Sequence, residues 1–263
     1  MIQRVTIKNF LNHESFSIEN LPSITVFIGE NDTGKTGLLK LLYATTKSLE
    51  IFSRKNSSFG ASYKKVLAEK LFTTFQPRKN GIGDLVYKGG KEKLSVDIRF
   101  KKSDKPSYQQ DLRFSFGDST TQNITEGNTE FSMSMTAEGI KKIGIITTLI
   151  RNRQLGKNTI LFLDEPETSL HPKAVRELVE MIVKMSKAGV QILLSTHSYF
   201  VIKQLTNCAK RDNLEVLCCS LEKEKGKSVI ANFSNLKDGL PDNPIVEEAL
   251  KMFDEEIKID LGL

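Results

Sequence analysis

One stretch of the sequence decides the fold: Gly29-Glu30-Asn31-Asp32-Thr33-Gly34-Lys35-Thr36. It fits the pattern glycine, any four residues, glycine, lysine, then serine or threonine, which is typical of a phosphate-binding loop. The apolar run 24–28 before the loop predicts a buried parallel strand, and the run 38–44 after it predicts a helix. In that order, backbone N–H groups and the helix N-terminus point at one anion. The alternative is a Gly-rich turn that only joins a strand to a helix.

Two carboxylates follow a second apolar run. Residues 160–163 predict a strand buried on both faces, and Asp164 and Glu165 come directly after it. Because ligands bind at the carboxyl ends of strands in open α/β sheets, we expect both side chains at a site. Asp164 suits Mg²⁺, and Glu165 suits polarising an attacking water. The alternative is an acidic helix N-terminus, since Pro166 and Glu167 suit a first turn.

A third cluster, residues 190–198, predicts another buried strand at 190–196 and ends in Thr196-His197-Ser198. Histidine occurs in this chain only at positions 13, 171 and 197. A neutral imidazole at position 197 can hydrogen-bond to a γ-phosphate or to the attacking water. The alternative is a satisfied polar group at the end of a strand.

Together, the three clusters resemble the ABC-type ATPase heads of the RecF, SMC and OLD (overcoming lysogenization defect) branch. The matching motifs are the first hairpin (5–16), Walker A (29–36), the signature region (136–142), Walker B with the catalytic Glu (161–165), the D-loop (169–172) and the switch histidine (196–198). The resemblance implies an α/β P-loop NTPase of the ABC ATPase head type, with a parallel core sheet plus an antiparallel β lobe. It covers nearly the whole chain as a single head, with a core lobe of residues 1–50 and 133–263 and an inserted basic lobe of residues 51–132.

The resemblance also implies ATP and Mg²⁺ as cofactors and indicates the site residues. Catalytic roles fall to Glu165, His197 and Lys35. Metal contacts fall to Thr36, Asp164 and the Q-loop glutamine. We assign that glutamine to Gln76, with Gln109, Gln110 and Gln122 as rivals. The residues expected to bind nucleotide are Asn12, His13, Asn31, Asp32, Thr33, Gly34, Lys35, Thr36 and Gly37 and, from a second subunit, Thr136, Glu138 and Gly139.

The chain departs from the family pattern in two places. The signature usually carries a serine and two glycines, whereas here Gly139 is the one glycine, Glu138 precedes it and Thr136 is the nearest hydroxyl. This change weakens the contacts expected from a second subunit to the γ-phosphate. In addition, Leu11 stands where SMC-type heads often have arginine, so one expected nucleotide contact is missing.

A closer resemblance is to the small ATPase subunits of bacterial defence modules of the Septu type, carried by residues 137–143, 163–167 and 240–246. It implies an ATP-hydrolysing, nucleotide-sandwiched homodimer or higher homo-oligomer in DNA repair or antiphage defence. The segment of about a hundred residues between Thr36 and Thr136 has no sustained heptads, unlike the coiled-coil insertion of SMC proteins. The 66 residues after His197 contain no paired-carboxylate run like that of the OLD nucleases. We therefore expect the head alone, with a separate nuclease or toxin as effector. The alternatives are an ATP-bound regulatory scaffold with little turnover, which restrains or presents an effector, and a transporter-type subunit.

Composition limits the partners. Hydrophobic residues make up 39% and charged residues 27% of the 263 positions, which is typical of soluble globular proteins. Of the net charge of +6, the segment 53–105 carries +9 (14 Lys or Arg against 5 Asp or Glu), which leaves −3 for the rest. With its interleaved aromatic residues, this segment is a candidate surface for DNA or RNA; the alternative is a solvated lobe surface with its own aromatic core. No apolar run approaches the roughly 18 residues of a membrane span, and the three cysteines lack metal-ligand spacing, so we expect a cytoplasmic protein without a membrane partner.

The remaining sequence patterns predict regular elements outside the three clusters. Helices are expected at 35–50, 63–71, 136–152, 173–187 and 243–258. Strands are expected at 93–101 and 112–116, and a hairpin at 216–221 and 228–233 turns at residues 225–227. A polar loop is expected at 117–130.

Overall fold

The computed structural model describes residues 1–55, 62–77, 81–89, 93–101, 112–116, 146, 155–223 and 227–261. The strands within these ranges are β1 (Ile2–Phe10), β2 (His13–Ile18), β3 (Ile24–Gly29), β4 (Leu94–Phe100), β5 (Leu112–Phe116), β6 (Ile160–Asp164), β7 (Gln191–Ser195), β8 (Val216–Glu222) and β9 (Ile230–Asn235). The α-helices are α1 (Lys35–Lys55), α2 (Tyr63–Phe75), α3 (Pro172–Lys187), α4 (Tyr199–Asp212) and α5 (Pro244–Leu261), and a short 3-10 helix spans Gly81–Leu85.

The central sheet has the strand order β6-β7-β3-β8-β9. Its first four strands are parallel, and β9 runs antiparallel to β8. Asp164 of β6 pairs with Ser195 of β7, which in turn pairs with Phe27 of β3, so three strands end at the same edge of the sheet. The phosphate loop follows β3 at that edge. The sheet therefore brings the three motif clusters together.

Burial follows position in this sheet. Every residue of β3 and β7 is buried, as expected for inner parallel strands. The expectation that residues 160–163 are buried on both faces was wrong, because β6 is half-buried there. Among the described strands β6 lies at the edge of the sheet, with a strand neighbour on one side only.

The second sheet is antiparallel, with the order β2-β1-β4-β5. β1 pairs with β2 as the N-terminal hairpin and with β4 through contacts such as Ile7 opposite Val96. This sheet is the antiparallel β part of the expected fold. It joins a strand of segment 51–132 directly to the N-terminal hairpin, and the lobe boundaries stay a prediction.

Two hydrophobic clusters cover the two faces of the parallel sheet. Phe27 of β3 packs with Leu41 of α1 and with the antiparallel sheet, whereas Val26 faces the cluster formed with α3 and α4. This alternation follows from the two-residue period of a strand. Burial of a large side chain such as Phe27 contributes about 1.5–3 kcal/mol, so β3 is held firmly from both sides.

Most predicted elements are present with small shifts of their ends. The predicted strand 112–116 matches β5, the strand predicted at 160–163 is β6 with Asp164 as its last residue, and the tail hairpin is β8 and β9. α1 ends at residue 55 rather than 50, α2 at 75 rather than 71, and α5 at 261 rather than 258. Residue 146 is helical, but the rest of the predicted helix 136–152, the loop 117–130 and most of the turn 225–227 lie outside the described residues.

The described helices and cysteines bear on the remaining expectations. No helix in the described ranges combines the length and apolar character that a membrane crossing requires. Cys208, Cys218 and Cys219 are free thiols buried in the core. Burial raises the pKa of Cys218 to about 12, so its thiol stays protonated at neutral pH.

Candidate functional site

The phosphate loop depends on glycine at two positions. Gly29 and Gly34 have φ angles of +146° and +87°, a region that residues with a side chain rarely adopt. A Cβ on Gly29 would lie 2.3 Å from the carbonyl oxygen of Leu221, so β8 leaves no room for a larger residue. Asp32, between the glycines, also has a positive φ of 63°. The chain therefore curls tightly from β3 into α1.

Lys35 is the first residue of α1, and its amine lies within the loop. Nζ donates hydrogen bonds to the carbonyl oxygens of Gly29 and Glu30, both at 2.7 Å. Burial lowers the pKa of Lys35, and the negative charges of Glu165, Asp164 and Glu30 oppose that shift. The first turn of α1 contains no acidic residue, so no carboxylate competes there for its unpaired N–H groups.

Two hydrogen bonds join the start of α1 to the ends of β6 and β7. The Thr36 hydroxyl donates to Oδ1 of Asp164 at 2.9 Å, although 128 residues separate the two in sequence. The Ser195 hydroxyl donates to the same oxygen at 2.5 Å. Asp164 is therefore fixed between the start of α1 and the end of β7. Hydroxyl and carboxylate oxygens are the donors that Mg²⁺ prefers, and Thr36 and Asp164 present them side by side.

Glu165 and His197 form the second pair at this edge. Nδ1 of His197 lies 3.1 Å from Oε1 of Glu165, the distance of a hydrogen bond from the ring N–H to the carboxylate. The backbone N–H of Glu165 donates to the carbonyl oxygen of Ser195 at 3.0 Å, which holds the turn after β6 against β7. The His197 side chain remains half-exposed. A carboxylate oriented by an imidazole can accept a proton from a water.

Glu167 was not assigned a role from the sequence. It is buried in the turn after β6, and Oε1 accepts a hydrogen bond from the fully buried Thr196 hydroxyl at 2.5 Å. The Thr196 hydroxyl also accepts from the backbone N–H of Ser198 at 3.0 Å. Glu167 therefore holds the loop that carries His197. The available signal was a third carboxylate two residues after Glu165, which fitted a helix first turn equally well.

Asn12 and Asp32 link the N-terminal hairpin to the phosphate loop. Nδ2 of Asn12 donates to the backbone oxygen of Asp32 at 2.8 Å, and Lys223 at the end of β8 pairs with the Asp32 carboxylate at 2.5 Å. Hydrogen bonding to Lys223 lowers the pKa of Asp32. These contacts set the shape of the loop tip. The expected contacts of both residues with a nucleotide stay predictions.

His13 lies behind the loop. It has no exposed surface, and neither ring nitrogen has a hydrogen-bond partner among the described residues. A Cβ on Gly34 would be 2.6 Å from its Nε2, and the ring contacts Phe16 edge-on with centroids 5.8 Å apart. Burial lowers the pKa of His13 to about 4, so the imidazole is neutral at pH 7. This position favours support of the loop over direct contact with a nucleotide.

The other predicted site residues are only partly placed. The Thr33 hydroxyl donates to the Glu30 carbonyl oxygen at 2.9 Å, Gly37 lies against Leu11, and Asn31 is exposed at the loop tip. Gln76 caps the C-terminus of α2 with a φ of 47°, and its metal contact stays a prediction. The rival glutamines Gln109, Gln110 and Gln122 and the signature residues Thr136, Glu138 and Gly139 lie outside the described residues.

The described ranges contain no group of three or more His, Cys, Asp and Glu side chains that would hold a metal by itself. A nucleotide-bound Mg²⁺ does not need such a group, because phosphates and waters supply most of its ligands. The donor pair Thr36 and Asp164 fits that kind of metal.

Known proteins are similar to parts of this chain. The profile of the family described as "AAA domain, putative AbiEii toxin, Type IV TA system" matches residues 78–203. The Old nuclease of Escherichia phage P2 is 49% identical over 41 residues, which cover 16% of this chain and 7% of that protein. The DNA replication and repair protein RecF of Listeria monocytogenes is 43% identical over 49 residues, which cover 18% of this chain and 13% of RecF. The chain thus matches only a small part of the length of either relative.

A solved structure matches over nearly the whole fold. The crystal structure of the SmcHead bound to the C-winged helix domain of ScpA has a TM-score of 0.55 and covers 90% of this chain and 98% of that one, at 11% identity. At an identity this low, the structural match shows a common fold and nothing more. The parallel sheet with its glycine loop and following helix defines an α/β P-loop ATPase fold. Within that class, the chain is similar to the ABC-type ATPase heads of the RecF, SMC and OLD type.

Proposed function

We propose that the chain binds and hydrolyses ATP with Mg²⁺ at the edge where β3, β6 and β7 end. The observation that carries this proposal is the hydrogen bond between Thr36 and Asp164, next to the pair of Glu165 and His197. It joins a phosphate-binding loop to a general base within one site. Phosphoryl transfer depends mostly on positioning and charge stabilisation, which such a site supplies.

The chain's own groups have distinct roles in this proposal. The N–H groups at the start of α1 and the Lys35 amine bind the terminal phosphates. Thr36 and Asp164 hold Mg²⁺, which when bound neutralises charge on the phosphate oxygens. Ser195 fixes the orientation of Asp164. Glu165 accepts the proton of the attacking water, and His197 orients the Glu165 carboxylate.

We further propose that two copies close over ATP. In ABC-type heads the signature region of one subunit completes the site of the other, and here that region would be Thr136, Glu138 and Gly139. The half-exposed side chain of His197 supports this arrangement, because the catalytic edge is open to an approaching subunit. Hydrolysis would then depend on assembly.

The setting we propose is DNA repair or antiphage defence, with a separate nuclease or toxin as effector. The partial matches to RecF and to Old nuclease support a role connected with DNA. The Septu-type resemblance supports the defence setting. The +9 segment 53–105 is the surface we propose for nucleic acid, and its exposed Lys64 and Lys65 on α2 are available for phosphates.

The test is a multiple-turnover phosphate-release assay with and without DNA. We expect Glu165→Gln to lower kcat by about 10²-fold or more, since a general base contributes that much. Glu177→Gln, the same change at an exposed position of α3, serves as the control and should leave kcat unchanged. Equal kcat values for Glu165→Gln and the wild type would contradict the assigned base.

The second candidate function is an ATP-bound scaffold that turns over little and restrains or presents an effector. The observation that favours it is the reduced signature, in which Glu138 precedes the one glycine, Gly139. Tight ATP binding without phosphate release, in the presence and absence of DNA, would select this function over the ATPase.

A further inference from the structure

Helix α5 leaves the body of the protein after its first turn. Asn243 fixes its start, because Oδ1 accepts a hydrogen bond from the backbone N–H of Ile245 at 3.0 Å. Val246 is buried and Ile245 packs against the cluster formed by α3 and α4. From residue 251 to residue 261, every side chain is exposed. The helix is therefore held at one end and open to solvent over most of its length.

The exposed part of α5 carries a continuous apolar stripe. Leu250, Phe253, Ile257 and Leu261 follow one another at spacings of three or four residues, so they share one face of the helix. Their exposures are 48%, 54%, 55% and 66%. Single exposed apolar residues are common on protein surfaces, but a row of four on one helix face marks an interaction site.

Acidic residues border this stripe on both sides. At 100° of rotation per residue, four carboxylates flank the apolar face: Glu247 and Asp254 on one border, and Glu256 and Asp260 on the other. Across the whole helix, six Asp or Glu residues stand against two Lys. Both lysines lie on the border of Glu247 and Asp254, just outside Glu247, and Lys251 pairs with Glu248 at 3.4 Å. The rim is therefore acidic on the border of Glu256 and Asp260 and mixed on the other border, with an excess of negative charge over the whole helix.

The projecting segment would gain stability from a partner. About a dozen residues of α5 extend past the buried first turn, and those from 251 to 261 are exposed. An amphipathic helix gains its stability by burying its apolar face. Within the described ranges, nothing covers this face beyond the first turn.

We infer that α5 is a docking helix whose apolar stripe enters a hydrophobic groove, rimmed by Lys or Arg, on a different protein. Helix-in-groove recognition uses the spacing that Leu250, Phe253 and Ile257 have. Charge complementarity selects a basic rim, and it disfavours pairing of α5 with the α5 of a second copy, because both helices carry an excess of negative charge. In this inference, α5 binds the separate partner of the proposed function. It therefore rests on the existence of that partner, but not on ATP turnover.

The first experiment separates a second copy of the chain from a different protein. The molar mass of the full chain is measured by light scattering, for the wild type and for Phe253→Ser, without nucleotide. We expect the same mass for both. A wild-type oligomer that falls to monomer in Phe253→Ser would overturn the inference, because the stripe would then be a self-association surface.

The second experiment identifies the partner and tests its chemistry. A photo-crosslinking amino acid is placed at Phe253 in the native cells, with the same group at Glu255 on the opposite face as the control. Mass spectrometry of the adducts locates the contacted residues. We expect one protein, crosslinked from Phe253 only and beside Lys or Arg residues. No adduct, an adduct with a second copy of this chain, or adducts with lipid would overturn the inference.

The purified partner then gives a quantitative test. We expect Phe253→Ser, and the double reversal Asp254→Lys with Glu256→Lys, each to raise Kd at least about tenfold, as interface centres and charged rims do. Glu255→Lys should change Kd less than twofold. An unchanged Kd in the double reversal would refute the basic rim. Glu165→Gln should leave Kd unchanged, so failure of docking and failure of the ATPase proposal remain distinguishable.

Discussion

The free energy of unfolding should fall in acid, and His13 should account for a defined part of that loss. The folded protein holds His13 with a pKa of about 4, whereas the unfolded chain has the ordinary value of about 6.5. The unfolded state therefore binds a proton in the window between pH 6.5 and pH 4 while the folded state does not. His13 therefore leaves stability unaffected above pH 6.5 and lowers it as the pH falls toward 4.

The size of the effect follows from the same two pKa values. Each pH unit inside the window is worth about 1.4 kcal/mol, and pH 5.0 lies 1.5 units below 6.5. Between pH 7.5 and pH 5.0, His13 should therefore remove about 2 kcal/mol from the free energy of unfolding.

Urea unfolding followed by circular dichroism at pH 7.5 and pH 5.0 measures this difference. In His13→Leu, which has no titrating group, the loss between the two pH values should be about 2 kcal/mol smaller than in the wild type. His171→Asn is the control, since it removes an exposed histidine and keeps an acceptor at the N-terminus of α3. An identical loss in His13→Leu and the wild type would refute the argument that His13 is buried and neutral.

Three further changes test the site. Gly29→Ala should lower the free energy of unfolding by about 2 kcal/mol or more, measured with urea, because the new Cβ would meet the Leu221 carbonyl oxygen at 2.3 Å and the φ of +146° is strained. Lys35→Ala should raise the Kd for ATP at least about tenfold in calorimetry, since a charge-assisted phosphate contact is lost. Glu167→Ala and Thr196→Val should show a coupling energy of about 1 kcal/mol or more in a double-mutant cycle of unfolding, because each removes the same buried hydrogen bond.

Much of the fold could be predicted because its inner strands are short apolar runs with clear ends. The apolar run 24–28 ends at Gly29, and the run 190–195 ends at a polar stretch. In both places the apolar run predicts the strand and the residues after it predict its end. The pairing of β4 with β1 could not be predicted, since it joins residues about ninety positions apart through an antiparallel register that local sequence does not encode. The half-buried position of β6 was missed because its place at the edge of the parallel sheet depends on strand order, which local sequence does not encode.

The candidate site was likewise predictable only in part. Motif spacing predicted that Thr36, Asp164, Glu165 and His197 serve one site, and the structure brings them to one edge. The hydrogen bonds that hold these side chains and the phosphate loop in place could not be predicted. Each joins residues far apart in the sequence and depends on how the strands pair. Ser195 reaches Asp164 only because β6 and β7 pair in register. The contact of Asn12 with the phosphate loop likewise depends on how the N-terminal hairpin packs against it.

The most direct test of the central claim is the molar mass of Glu165→Gln by light scattering, with and without ATP and Mg²⁺. Loss of the general base should leave ATP bound and unhydrolysed, so two heads should remain closed over it. We expect the molar mass to shift from the 29.6 kDa of one chain to about twice that value on addition of ATP and Mg²⁺. A mass that does not respond to ATP, together with wild-type phosphate release, would contradict the ATP-sandwiched ATPase.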